Sequence, residues 1–156
     1  MLKKIALVSL CVLIVLMPIS GCSSKTKTLD IEAFCDKVLS EIPYDDELTI
    51  LPERVAAEYY DLSFEGLEEF CIYVSGTAAT ANELAVMKLA NDDAVKSAEQ
   101  AVNARVSEQI NTYGNYNPAE VFRLESALIL KKDGYLLLSV SNYNDDVEKA
   151  FNDSLK

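Results

Sequence analysis

The sequence predicts an α+β fold: a small antiparallel sheet of about three strands, including a C-terminal hairpin, packed with helices. Three observations carry this. Ile31, Phe34, Cys35, Val38, Leu39 and Ile42 recur at the three- and four-residue spacing of an amphipathic helix. Phe70-Cys71-Ile72-Tyr73-Val74 is a β-branched and aromatic run, bounded by Gly76, that reads as a buried strand. Asp133-Gly134, between the apolar runs 127–130 and 135–140, is a two-residue hairpin signal, because both positions must accept positive φ.

The elements follow in chain order. Residues 1–21 read as a signal peptide: Lys3 and Lys4 precede an apolar run, Ile5 to Met17, that is too short for a bilayer, which needs about 20 residues. The run ends in Ile19-Ser20-Gly21-Cys22, which resembles a bacterial lipobox. Cleavage between Gly21 and Cys22 would leave Cys22 as the N-terminus, its sulfur carrying a diacylglyceryl group. Residues 22–28 form the lipidated cysteine and a polar tether, and at about 3.3 Å per residue its six polar residues reach no more than about 20 Å. Residues 29–156 form a single α+β domain.

Within that domain the helix from Ile31 ends at Pro43. Leu48, Ile50 and Leu51 suit a short extended piece, Pro52 a helix start, and Val55 to Tyr60 a helix. After the strand at 70–74, Thr80-Ala81-Asn82-Glu83 has the form of a capping box and predicts a helix over Leu84 to Leu89. Asp92 and Asp93 favour the positive end of a longer helix. Its apolar positions Val95, Ala98, Val102, Val106, Ile110 and Tyr113 run to Gly114. Asn117-Pro118 opens a short element, with asparagine as N-cap and proline at the first helical position. The hairpin follows. An amphipathic helix from Asn144 then carries Val147, Ala150, Phe151 and Leu155.

Composition narrows the function. The chain has 25 acidic and 14 basic side chains, no histidine and no tryptophan. Without Lys3 and Lys4 the net charge becomes −13, which opposes nucleic-acid binding, since phosphate repulsion replaces counterion release. The absence of histidine removes the commonest general base and zinc ligand and excludes Ser-His-Asp hydrolysis. The acidic pairs 45–46, 68–69, 92–93 and 145–146 read as solvated faces. Asn142, Asn144 and Asp146 alternate as in a calcium loop, but Val147 stands where that loop needs glycine. No metal site, cofactor or catalytic residue is expected. Cys35 and Cys71 lie in apolar runs and read as reduced core thiols. An exported context also permits a disulfide between them, closing a loop of about 37 residues.

The sharpest local feature is the turn after the strand. Gly76, Thr77, Thr80 and Glu83 form a candidate binding turn whose amides, near Gly76 to Ala79, could hold an anion or carboxylate. The plainer reading is that Gly76 makes the turn while Thr80 and Glu83 cap a helix.

Three motifs give the chain a family resemblance. They are Tyr73-Val74-Ser75-Gly76-Thr77-Ala78-Ala79-Thr80-Ala81-Asn82-Glu83-Leu84-Ala85-Val86-Met87-Lys88, the stretch from Tyr113-Gly114 through Tyr116-Asn117-Pro118 to Glu120, and Gly134-Tyr135 leading into Leu136 to Val140. With these the chain resembles bacterial lipoproteins of the domain of unknown function 4358. The resemblance implies export, lipidation and a small α+β domain, and it brings no catalytic residues. The expected protein is therefore a lipid-anchored envelope protein on the extracytoplasmic face of the cell membrane. It would contact membrane lipid through Cys22 and bind an envelope partner without catalysis. The alternative is an enzyme or enzyme subunit of envelope modification that uses carboxylates around Glu83 or Glu120 as acid and base.

Overall fold

The structure, a computed structural model, describes residues 28–156. The signal segment, Gly21, Cys22 and all but the last residue of the tether lie outside the described residues. In order the elements are α1 (Ile31–Glu41), β1 (Leu48–Ile50), α2 (Glu53–Tyr60), β2 (Leu67–Ser75), β3 (Glu83–Leu89), α3 (Asp92–Tyr116), α4 (Ala119–Glu125), β4 (Leu128–Lys132), β5 (Tyr135–Val140) and α5 (Asn144–Ser154). The fold is α+β, with one antiparallel sheet of five strands in the order β1-β2-β3-β5-β4.

The sheet is larger than the expected three strands for two reasons. Leu48–Ile50 pairs with the end of β2, and residues 83–89 form the central strand rather than a helix. The capping-box reading is thereby corrected. Every residue of β3 except Lys88 is buried, with Ala85, Met87 and Leu89 entering one core and Leu84 and Val86 the other. A strand covered on both faces shows a continuous apolar run without alternation, and over seven residues such a run looks like a buried helix segment.

The period-2 alternation sorts the helices. Ala85, Met87, Leu136, Leu138 and Val140 pack against α2, α3 and α4 through Ala56, Tyr60, Ala98, Val102 and Leu124. Leu84, Val86 and Leu137 pack against α1 and α5 through Ile31, Phe34, Val38, Val147 and Phe151, and Phe34 meets Phe151 edge-on at 5.8 Å. Both cysteines are free and belong to this second core. The neighbouring Cys71 thiol and burial push the pKa of the Cys35 thiol far up, so Cys35 stays protonated.

Local chemistry fixes the helix starts. Asp30 Oδ1 accepts from Ala33 N at 3.0 Å to cap α1, and Asn91 Oδ1 accepts from Ala94 N at 2.9 Å to cap α3. Helix α3 passes through Gly114 to Tyr116, and Asn117 caps its C-terminal end instead of the N-terminus of α4. The β4–β5 turn places Asp133 at φ 51° and Gly134 at φ 81°, the pair of positive values a type I′ turn requires. A Cβ on Gly134 would also sit 3.2 Å from the Leu89 carbonyl oxygen. Gly134→Ala should therefore lower stability by about 1–2 kcal/mol in urea denaturation, whereas Asp133→Gly should be tolerated.

Two ends of the sheet can now be distinguished. The hairpin turn lies at the lower end, where Leu29 N donates to Tyr135 Oη at 3.0 Å, so the chain enters the domain there. At the upper end residues 76–82 connect β2 to β3. Helix α3, 25 residues and about 38 Å long, outruns the seven-residue β3, at about 24 Å. Its last turns overhang that upper connection.

Candidate functional site

The overhang brings together the two segments that carry the family resemblance. Tyr113 Oη donates to the carbonyls of Ala78, at 3.2 Å, and Thr80, at 2.5 Å. Asn117 Nδ2 donates to Ala79 O at 3.2 Å, and Glu120 Oε2 accepts from Ala81 N at 2.8 Å. Each residue from Ala78 to Ala81 is thus held by a side chain from 113–120. The clamp holds Ala78 at φ 57°, a left-handed conformation unusual for alanine. Glu120 is itself paired with Arg123 at 2.6 Å, and Arg123 reaches Asp45 Oδ2 at 2.5 Å, which also accepts from Asn142 Nδ2 at 2.8 Å. Asn142 is therefore spent on a structural link.

The candidate turn is organised differently from the expectation. Gly76 is required by close approach: a Cβ there would lie 2.8 Å from Thr49 Oγ1, and its N–H donates to Glu47 O at 2.9 Å. Thr77 Oγ1 donates to Asp46 Oδ2 at 2.5 Å and accepts from Ala79 N at 3.1 Å. Thr80 Oγ1 accepts from Asn82 N at 3.4 Å. The amides of Gly76, Ala79 and Ala81 are thus bonded within the chain, and the carboxylate against this turn is the protein's own Asp46. The Ser75 and Thr77 hydroxyls hold the Asp46 carboxyl below its usual range. A depressed carboxyl stabilises the fold above its unfolded pKa and loses that contribution as pH falls through the folded value. Asp46→Asn should therefore flatten the stability profile below about pH 4, lowering stability at neutral pH where the carboxylate contributes and converging with the unsubstituted chain in acid, as thermal melts across pH would show.

Glu83 does not cap a helix. It leaves β3 on the α3 side, is 3% exposed, and is met by Arg105 in a two-point pair, with Nε to Oε1 and Nη2 to Oε2 both at 3.2 Å. Tyr60 Oη donates to the same Oε1. Burial and the neighbouring Glu83 carboxylate push the Tyr60 hydroxyl well above its ordinary pKa, so it remains a donor. With its amide oxygen turned inward, Gln109 accepts from Arg105 Nη1 and, at 2.9 Å, from Nη2. Arg105 also lies 4.8 Å from the centre of the Tyr59 ring.

This cluster floors a cleft of about 350 Å³ between α2, α3 and the 76–82 connection. Its rim carries Tyr59, 44% exposed, and Tyr116, 68% exposed, with the Tyr113 ring 6.2 Å from that of Tyr116. Ser75, Thr80, Asn82, Glu108, Gln109 and Thr112 complete the polar lining. Of the four turn residues singled out by sequence, Thr80 and Glu83 line the cleft, whereas Gly76 and Thr77 face β1 and Asp46. Sequence reading missed Arg105 and Gln109, and it did not pair Tyr60 with Glu83. The only signal was a basic residue among the apolar turns of α3, and its partner stands 22 positions away in the chain.

Among the described residues no helix is long and apolar enough to cross a membrane, and no group of three metal-ligating side chains converges. Comparison with curated proteins and with solved structures gives no match. A family model does match, spanning residues 46–141, from Asp46 through the clamp to the end of the hairpin. The chain therefore belongs to the family described as Domain of unknown function (DUF4358).

Proposed function

We propose that this is an exported cell-envelope lipoprotein, anchored through diacylglyceryl-Cys22 on the extracytoplasmic face of the membrane. Its domain acts as a non-enzymatic module that receives an envelope component in the tyrosine-rimmed cleft. The anchoring rests on the charged start, short apolar run and lipobox of residues 1–22. The binding role rests chiefly on one observation, the state of the two acids that acid–base chemistry would need. Glu83 is engaged by Arg105 and Tyr60, and Glu120 by Arg123 and Ala81 N, so each carboxylate is committed to holding the fold. The exposed tyrosines beside them are free for contact.

Orientation favours the same reading. The chain enters at the lower end beside Tyr135, while the cleft opens at the upper end beside Glu83. Five residue steps of β3, about 17 Å, separate the two levels. A domain tethered from below presents this cleft away from the bilayer.

The test is cross-linking in native membranes, with Cys22→Ala and Tyr116→Ala run alongside. Labelled palmitate should mark the chain and be lost in Cys22→Ala, and a captured envelope component should be lost in Tyr116→Ala. Palmitate labelling that persists without Cys22 would overturn the anchoring, and capture indifferent to Tyr116 would overturn the role of the cleft.

A further inference from the structure

The lining of the cleft specifies the chemistry of its ligand. Arg105 is the one cation among the described residues that line it, and its guanidinium is divided between Glu83 and Gln109. An anionic ligand would meet no free positive charge, and would face Glu108 and a strongly acidic chain. A cation would be drawn by Glu108 but would share the cleft with the Arg105 guanidinium, which already lies against the Tyr59 ring. What the walls offer is aromatic surface and uncharged hydrogen-bonding groups. Tyr59 and Tyr116 stand exposed on the rim, Tyr113 forms the wall between them and the loop, and Thr112 and Thr80 present hydroxyls. The Thr112 hydroxyl has no hydrogen-bond partner among the described residues, and Thr80 makes one long contact at 3.4 Å.

A volume of about 350 Å³ lies at the small end of ligand sites, which run from about 300 to 1,000 Å³. It suits a ligand of one or two rings and is small for the face of a folded protein. A pyranose ring meets each requirement: its C–H face packs on an aromatic ring, and its equatorial hydroxyls bond to threonine, glutamine and carboxylate edges. We propose that the cleft binds a neutral sugar unit of an envelope glycan, stacked between Tyr59 and Tyr116. This rests on the binding-module reading above and names its ligand class.

The experiment titrates the full lipidated chain in detergent with cellobiose and N,N′-diacetylchitobiose, with digalacturonate as the anionic counterpart and choline as a cation. Because the chain has no tryptophan, tyrosine emission reports binding directly. A saturable change with at least one neutral disaccharide is expected. Affinity should be about tenfold weaker for digalacturonate, and about tenfold weaker in Tyr116→Ala and Tyr59→Ala. Tyr59→Phe should retain binding, because the ring remains. Both positions are exposed, so circular dichroism should show each variant folded. A saturable response to choline or digalacturonate alone, no response to either neutral sugar, or binding unmoved by both alanine variants would overturn the assignment. If sugars fail while cross-linking still captures a Tyr116-dependent protein, only the sugar assignment falls. If both fail, the binding-module reading falls with it.

Discussion

Arg105→Ala should lower the stability of the chain by about 3–5 kcal/mol, the largest effect expected of any single substitution in the site. The reason is the charge left behind. Glu83 is 3% exposed, and once the guanidinium is gone only the Tyr60 hydroxyl compensates its carboxylate. A buried ion pair gains little over an apolar pair, because both ions have lost their hydration, but removing one partner exposes the full desolvation cost of the other. The double variant Glu83→Met with Arg105→Met should therefore recover most of the loss, and a double-mutant cycle by urea denaturation reads the coupling. If Arg105→Ala proves no worse than an ordinary surface change, the pair does not hold the floor of the cleft. The cycle also separates stability from binding: the double variant should fold with an apolar floor, so any loss of ligand affinity in it reports on the polar cluster itself.

The second large effect lies on the opposite face. The family match covers 46–141, which leaves out both α1 and α5. Yet these two helices are what bury Leu84, Val86, Leu137 and Cys71. Phe151, fully buried and edge-on to Phe34, should cost about 3–5 kcal/mol when cut to alanine. A chain trimmed to residues 46–141 would expose that entire face of the sheet. It should show no cooperative thermal unfolding and should bind a hydrophobic dye, whereas the full domain melts in one step. A trimmed chain that melted cooperatively would show that the second core is dispensable and that the matched region folds alone.

Some of this architecture was written in the chain. The 31–42 periodicity, the long helix from Asp92, the Asp133-Gly134 turn and the amphipathic tail each depend on contacts a few residues apart. Local spacing therefore specifies them, and the sequence alone determined α1, α3, the hairpin and α5. Pro52 and the apolar spacing around it suggested an extended piece at Leu48–Ile50 and a helix before Tyr60, but only the tertiary structure made the former a strand of the sheet. Residues 83–89 were decided by tertiary structure. Their own signals, a threonine and a glutamate three apart followed by leucine, alanine and methionine, suit a helix. Burial between two strands and two helical layers outweighs that local preference, because it satisfies the backbone and removes both faces from water at once.

The site divides the same way. Thr80 and Glu83 could be picked out because they sit in a conspicuous motif, and Tyr113 to Glu120 because they form another. That the second motif clamps the backbone of the first depends on α3 being long enough to overhang the sheet, a property of the assembled layers. The meaning of Glu83 depended most on the fold. Its partner Arg105 is brought across by three turns of packed helix, and only that juxtaposition turns a helix cap on paper into the neutralised floor of a cleft.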